Sequence, residues 1–259
     1  MKLTIKEIAE LADVSRTTVS RILNNSANVK SETREKVQAI IDENNYIPNI
    51  NARRTITRTI DNIAVVIVNN VDKVLISPFN SEILRGILAK SKEYNYDITI
   101  TKETSADYIV RSYKEKRFSG YIIINPCLEY KDTLDKLIEN NIPFISTSSC
   151  GEDYKYCCVD IDNIKSSYDM IEFLVKKGHK NIAVIKGPAT LQSTIDRIIG
   201  YKKCLEDNNI QSSIANIYEG DNSIISGSKS MEKIARANDM PTAVFAMNDF
   251  MALGVVITA

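Results

Sequence analysis

From Ile63 onward, short runs rich in β-branched residues alternate with stretches of helical spacing. The runs are IAVVIV (63–68), YDITIT (96–101), GYIIIN (120–125), PFIST (143–147), NIAVIK (181–186), ANIYEG (215–220) and TAVFAM (242–247). Helical patterns follow them at about 80–94, 107–116, 130–140, 164–178, 193–209, 225–237 and 249–257. The runs do not alternate apolar with polar residues, so each is expected to be covered on both faces. That pattern closes into parallel sheets flanked by helices and built from right-handed βαβ units. The run CCVDI is short and a long helix follows it, which makes Asp160–Asn163 the expected crossing point between two such sheets.

The first sixty residues have a different texture. Thr4 and Glu7 form a capping box, and Ile5, Ile8, Ala9 and Ala12 then share one helical face. Asp13 falls where a left-handed residue would end that helix, a conformation Asp tolerates better than most. Ser15 is placed to cap a second helix whose Val19, Ile22 and Leu23 turn back toward the first. A third begins at Ser31–Glu32, and its Val37, Ile40 and Ile41 close a small core. Two helices joined by so tight a turn cross steeply, as in a helix-turn-helix. Arg16, Thr17, Ser20 and Arg21 are left on the outer face of the second helix, as donors suited to base edges and phosphates. By spacing alone, the same residues also fit a structural three-helix cap with a solvated polar face.

Charge favours an anionic partner for this head. Residues 1–60 hold ten Lys or Arg against seven Asp or Glu, whereas the whole chain is neutral with 33 of each. Ile47–Asp61, IPNINARRTITRTID, is a polar linker with three Arg. The five Cys form no CxxC pair and His179 is the only histidine, so zinc lacks its usual ligand spacing. An odd cysteine count and a polar N-terminus fit a reducing cytoplasm, and no apolar run is long enough to cross a bilayer. GxGxxG, GxxxxGK[ST] and a nucleophile elbow are all missing, and His179 lies in a turn. No catalytic residue, cofactor or metal is expected.

The segments TIKEIAELADVSRTTVSRILNN and VKSETREKVQAIIDENNYIPN resemble the head of the lactose-repressor family of bacterial transcription regulators. The resemblance continues through SPFNSEILRGI (77–87), VDIDN (159–163), KKGHKNIAVIKGP (176–188), DRIIGYKKCL (196–205) and PTAVFAMNDFMALG (241–254), in family order. YKYCCVDIDN is most similar to a subgroup that includes repressors of β-galactoside genes. The resemblance implies an all-α helix-turn-helix head (1–46), a hinge linker (47–61) and an α/β core like periplasmic binding proteins. That core has two parallel-sheet subdomains, 62–160 and 161–259. Family members continue beyond the ALG segment, so the second subdomain is expected to be incomplete at Ala259.

It further implies a regulator, most often a repressor, that binds a near-palindromic DNA operator as a homodimer. Its affinity would be set by a small effector, most simply a sugar, in the cleft of the core. Arg16 and Thr17, with Arg21 behind them, would select bases, while Thr4, Ser15, Thr18, Ser20 and Asn24 would hold phosphates. The family wedges a Leu of the linker into the minor groove. Here the matching residue is Thr55, a poor wedge, and Ile56 could serve instead if the helix shifts by one residue; Arg53, Arg54 and Arg58 would add phosphate attraction either way. On the effector side the resemblance points to Phe79, Asn80, Ser148, Ser193, Arg197 and Asn248. Asn80 in place of a second Phe favours a hydroxyl-rich ligand over a stacked purine. Asp249 is expected to cap the helix that follows. The alternative is a sugar-binding receptor with no role on DNA, which would call for an export signal and no basic head.

Overall fold

The computed structural model describes residues 3–23, 28–44, 46, 60–68, 77–149, 151, 154–211 and 216–259. The chain divides into two compact units, Met1–Ile60 and Asp61–Ala259.

The first unit holds helices α1 (Ile5–Ala12), α2 (Arg16–Leu23) and α3 (Ser31–Glu43). The capping box is present. The Thr4 backbone N–H donates to Glu7 Oε2 at 2.6 Å, and the Thr4 hydroxyl reaches the same oxygen at 2.8 Å. Asp13 ends α1 at φ +53°, the left-handed conformation expected of it. Ser15 Oγ then accepts from the Thr18 N–H at 3.0 Å and opens α2. Ile8, Ala9, Ala12, Val19, Ile22, Val37 and Ile41 are buried together. A unit this small holds only a modest margin of stability, so its terminal caps matter.

Two hydrogen bonds from Thr4, the backbone one stronger, hold the Glu7 carboxyl below its ordinary 4.5. A depressed carboxyl stabilises the fold above its unfolded pKa, and that contribution is lost as pH falls through the folded one. Circular dichroism of the wild type should therefore show the head melting at lower temperature as pH drops from about 5 to about 3. Glu7→Gln should lack that part of the acid loss. Parallel pH profiles for the two proteins would rule the carboxylate cap out.

The second unit contains two parallel sheets. The first has the order β2-β1-β3-β4-β5. Its strands are β1 (Asn62–Ile67), β2 (Asp97–Thr101), β3 (Gly120–Ile124), β4 (Phe144–Ser146) and β5 (Cys157–Cys158). Helices α4 (Pro78–Glu93), α5 (Ala106–Lys114) and α6 (Lys131–Glu139) connect them, with a 3-10 turn at Leu128–Tyr130. β1 alternates its faces between two cores: Ala64 and Val66 meet Ile109, Ile123 and Leu134, while Val65 and Ile67 meet Leu84 and Ile124. This two-sided burial is why its residues are apolar without alternation.

The second sheet has the order β7-β6-β8, with β6 (Ile182–Lys186) in the middle, β7 (Ile217–Glu219) and β8 (Ala243–Ala246). Helices α7 (Asn163–Lys176), α8 (Gln192–Asp207), α9 (Ile224–Ala235) and α10 (Asp249–Thr258) accompany it. Ile182–Ile185 pack with Ile171, Tyr201, Leu205, Ile234 and Met251. Glycines seat the helices closely: a Cβ built on Gly200 of α8 would lie 2.2 Å from the Ile164 carbonyl oxygen of α7. One on Gly254 of α10 would lie 2.1 Å from the Ile224 carbonyl oxygen of α9.

Candidate nucleic-acid interface and effector site

On α2, Val19 and Ile22 point into the head's core, while Arg16, Thr17 and Arg21 are exposed and Ser20 is half-buried. The polar face anticipated for this helix is therefore the one it turns outward. Ser15 and Thr18 share a hydrogen bond between their hydroxyls at 2.8 Å, besides the cap itself. The Thr4 hydroxyl proton is directed to Glu7, so a phosphate at Thr4 would compete with that carboxylate. Asn24, Arg53, Arg54, Thr55, Ile56 and Arg58 lie outside the described residues.

The effector candidates gather beyond the carboxyl ends of the two sheets, where open α/β folds bind ligands. At the first sheet, Ser77 precedes α4, Phe79 is exposed and Asn80 is buried. Asn80 Oδ1 accepts from Asn125 Nδ2 at 2.6 Å. Asn125 follows β3 with φ +46°, and its backbone N–H donates to Thr147 Oγ1 at 3.1 Å. Ser148 is half-buried, and its carbonyl oxygen accepts from Ser146 Oγ at 2.6 Å.

At the second sheet, Arg197 is half-buried on α8, just ahead of the Gly200 contact with α7. Its Nε donates to Asn163 Oδ1 at 2.9 Å, and Nη1 donates to the Met247 carbonyl oxygen. Burial lowers its pKa below the ordinary guanidinium value, against the opposing pull of Asp160, Asp249 and Asp196. Ser193 is half-buried in the first turn of α8. Asn248, not Asp249, caps α10: its Oδ1 accepts from the Met251 N–H at 2.9 Å. Its Nδ2 donates to the Asn222 carbonyl oxygen at 3.0 Å. The extended backbone at Asn248 aims its side chain back over the first turn, whereas Asp249 is already the first residue of the helix. The expectation that Asp249 supplies the cap is corrected on this point.

The two groups meet at Asp160 and at Leu128, whose N–H donates to the Thr190 carbonyl oxygen at 2.8 Å across the two sheets' loops. Sequence reasoning missed Asn125, Asp160, Asn163 and Asn222. The available signal was weak: isolated Asn at strand ends, in a chain with only nine Gly, are candidates for left-handed turns. A separate groove of about 500 Å³ between α5 and α6, lined by Asp107, Arg111, Lys114, Glu115 and Lys136, includes none of the candidate residues.

A family model described as bacterial regulatory proteins, lacI family, matches residues 4–49. A second, for periplasmic binding proteins and the sugar-binding domain of that family, matches residues 62–259. The chain belongs to the lacI family. It is 30% identical over 265 residues to catabolite control protein A of Priestia megaterium, covering 99% of this chain and 77% of the relative. The lac repressor dimer bound to operator and the anti-inducer ONPF superposes with a TM-score of 0.85 at 27% identity. That match covers 100% of this chain and 77% of the repressor. A complex of the transcriptional regulator CelR with cellobiose matches with a TM-score of 0.69, also at 27% identity, over 99% of this chain and 77% of that one. The lacI family consists of DNA-binding transcription regulators, not enzymes, and this chain carries both of its parts. Among the described residues, no helix is long and apolar enough to cross a membrane.

Proposed function

We propose that this lacI-family regulator is a repressor. It binds a near-palindromic operator in the cytoplasm as a homodimer and is controlled by a small, hydroxyl-rich effector, a sugar, at the carboxyl ends of its two sheets. The observation that carries this reading is an outward Arg16–Thr17–Ser20–Arg21 face on α2 in a chain that also sets polar side chains beyond the strand ends of its two sheets. Arg16 and Thr17, with Arg21, read bases, while Thr4, Ser15, Thr18, Ser20 and Asn24 fix the register on phosphates. Arg53, Arg54 and Ile56 of the hinge add phosphate attraction and an apolar wedge. Phe79, Asn80, Ser148, Ser193, Arg197 and Asn248 face the effector. Asn80 and Asn125 offer amide groups, and Arg197 stands among carboxylates rather than other cations. That setting suits a neutral polyol better than an acid.

Effector binding shifts the core between two arrangements, and the linkers transmit the difference to the heads. The coupling is reciprocal: effector and operator change each other's affinity by the same factor. The domains assigned are the head at 1–46, the hinge at 47–61 and sensor subdomains at 62–160 and 161–259.

The test starts with selection from a random duplex library, which should enrich a near-palindrome. Cellobiose, maltose and lactose are then screened for release of the protein from that site. Arg197→Ala should keep operator affinity within about twofold and lose about tenfold or more of the sugar response, a coupling of at least ~1.4 kcal/mol. A library that stays random, or an Arg197→Ala protein that still responds fully, would overturn the corresponding half of the reading.

A further inference from the structure

We infer that Asp160, on the segment joining the two sheets, positions Arg197 by fixing the orientation of the Asn163 amide, and that it clasps the loop after β4 at the same time. The inference rests on the effector reading only for its biological purpose, not for its geometry. Asn163 is buried, so its amide must be fully satisfied. Its Nδ2 donates to Asp160 Oδ1 at 3.2 Å and to the Ile161 carbonyl oxygen at 3.1 Å. Two acceptors on one side leave Oδ1 facing the other way, and there it accepts from Arg197 Nε at 2.9 Å. The reversed amide would set two donors, Nδ2 and Nε–H, against each other. Asp160, together with the Ile161 carbonyl, thus selects the amide orientation that accepts from Arg197 Nε.

The second carboxylate oxygen does different work. Asp160 Oδ2 accepts from the Ser149 N–H at 3.2 Å, while Oδ1 also takes the Ile161 N–H at 2.8 Å. Ser149 is next to Ser148, a candidate effector contact of the first sheet, and Arg197 belongs to the second. One carboxylate therefore joins a loop of one sheet, through the Asn163 amide, to the guanidinium of the other. Ser167 Oγ, donating to the Arg197 carbonyl oxygen at 2.6 Å, fixes the backbone beneath the same residue. An effector that touches both Ser148 and Arg197 would find them already in register. A change at either would be felt at the other through Asp160.

Two variants separate the two tasks. Asp160→Asn keeps an oxygen in the Oδ1 position for Asn163 but turns an amide toward the Ser149 N–H. Asp160→Ala removes both acceptors. The measurement is made on the full chain without ligand, by transverse-relaxation-optimised NMR. The Arg197 Nε–H resonance is assigned by its loss in Arg197→Lys. In Asp160→Ala its hydrogen exchange should rise about fivefold, the worth of one net hydrogen bond of roughly 1 kcal/mol. In Asp160→Asn it should stay within about threefold of wild type, whereas the Ser149 amide should exchange faster in both variants. Should Asp160→Ala fail to fold, Asp160→Asn still decides the clasp through Ser149. In that case Asn163→Asp, which puts an acceptor on both sides, should retain a slowly exchanging Arg197 Nε–H. Arg197 exchange unchanged in Asp160→Ala, or Ser149 exchange unchanged in both variants, would overturn the inference. Titration with cellobiose, maltose and lactose is kept separate: binding that ignores Arg197→Ala would refute the effector reading while leaving the NMR result for Asp160 intact.

Discussion

Gly200→Ala should lower the melting temperature of the core by about 4–8 °C and weaken the Arg197 contacts with it. The added Cβ would fall 2.2 Å from the Ile164 carbonyl oxygen and 3.0 Å from the Tyr168 backbone nitrogen. Both neighbours are backbone of α7, so neither yields by rotating a side chain. Overpacking of this kind costs about 3 kcal/mol at the upper end of its usual range. Alanine's better helix propensity returns about 1 kcal/mol. The net loss is about 2 kcal/mol, which in a domain of this size corresponds to the stated shift. Relief must come by moving α8 away from α7, and that movement separates Arg197 from Asn163 and Ser167. Gly86 supplies the control. It lies in α4 with nothing within 4 Å of its would-be Cβ, so Gly86→Ala should stabilise by up to about 1 kcal/mol. Calorimetry of both variants decides the matter: a neutral Gly200→Ala would show that α7 and α8 are not locked at this contact.

The contrast between those two glycines also shows what the sequence can and cannot tell. Both sit in strongly helical patterns, and nothing local separates them, because the difference is the backbone of another helix more than thirty residues away. The strands were legible for the opposite reason. Two-sided burial forces an unbroken run such as IAVVIV, and a run leaves its mark locally. Head and turn were legible too, since capping boxes and left-handed caps act within four residues. The sites at the strand ends were less so. Asn95, Asn125, Asn141, Asn209 and Asn222 all adopt positive φ. An Asn does this in an ordinary helix-to-strand turn as readily as in a ligand-facing one. Asn248 and Asp249 illustrate the same limit: both residue types cap helices well, and which one does so depends on where the strand lets go. Asp160 and Asn163 were read only as the crossing point between the sheets, because their role at the site lies in Arg197, which is over thirty positions further along.

Arg16→Ala should erase base discrimination while leaving the fold intact. Arg16 is exposed on the first turn of α2, and the head's core at Val19 and Ile22 does not include it. On the proposed reading the change removes a base contact and not a support, so the head's circular dichroism and melting should stay as in the wild type. A guanidinium paired with both acceptors of a guanine is worth about 1–3 kcal/mol per half-site. Two heads on a near-palindrome make that about 2–6 kcal/mol, so preference for the selected operator over a scrambled duplex should fall roughly 30- to 10⁴-fold. Affinity for the scrambled duplex should barely change, because phosphate attraction dominates there and comes from many cations. The slope of log affinity against log salt should accordingly persist, unlike the loss of about one unit expected when a phosphate contact is removed. Paired titrations of selected and scrambled duplexes at several salt concentrations distinguish the two cases. If the variant enriched the same operator as the wild type, α2 would be placed away from the base edges, and the outward polar face of this helix would be a solvated surface after all.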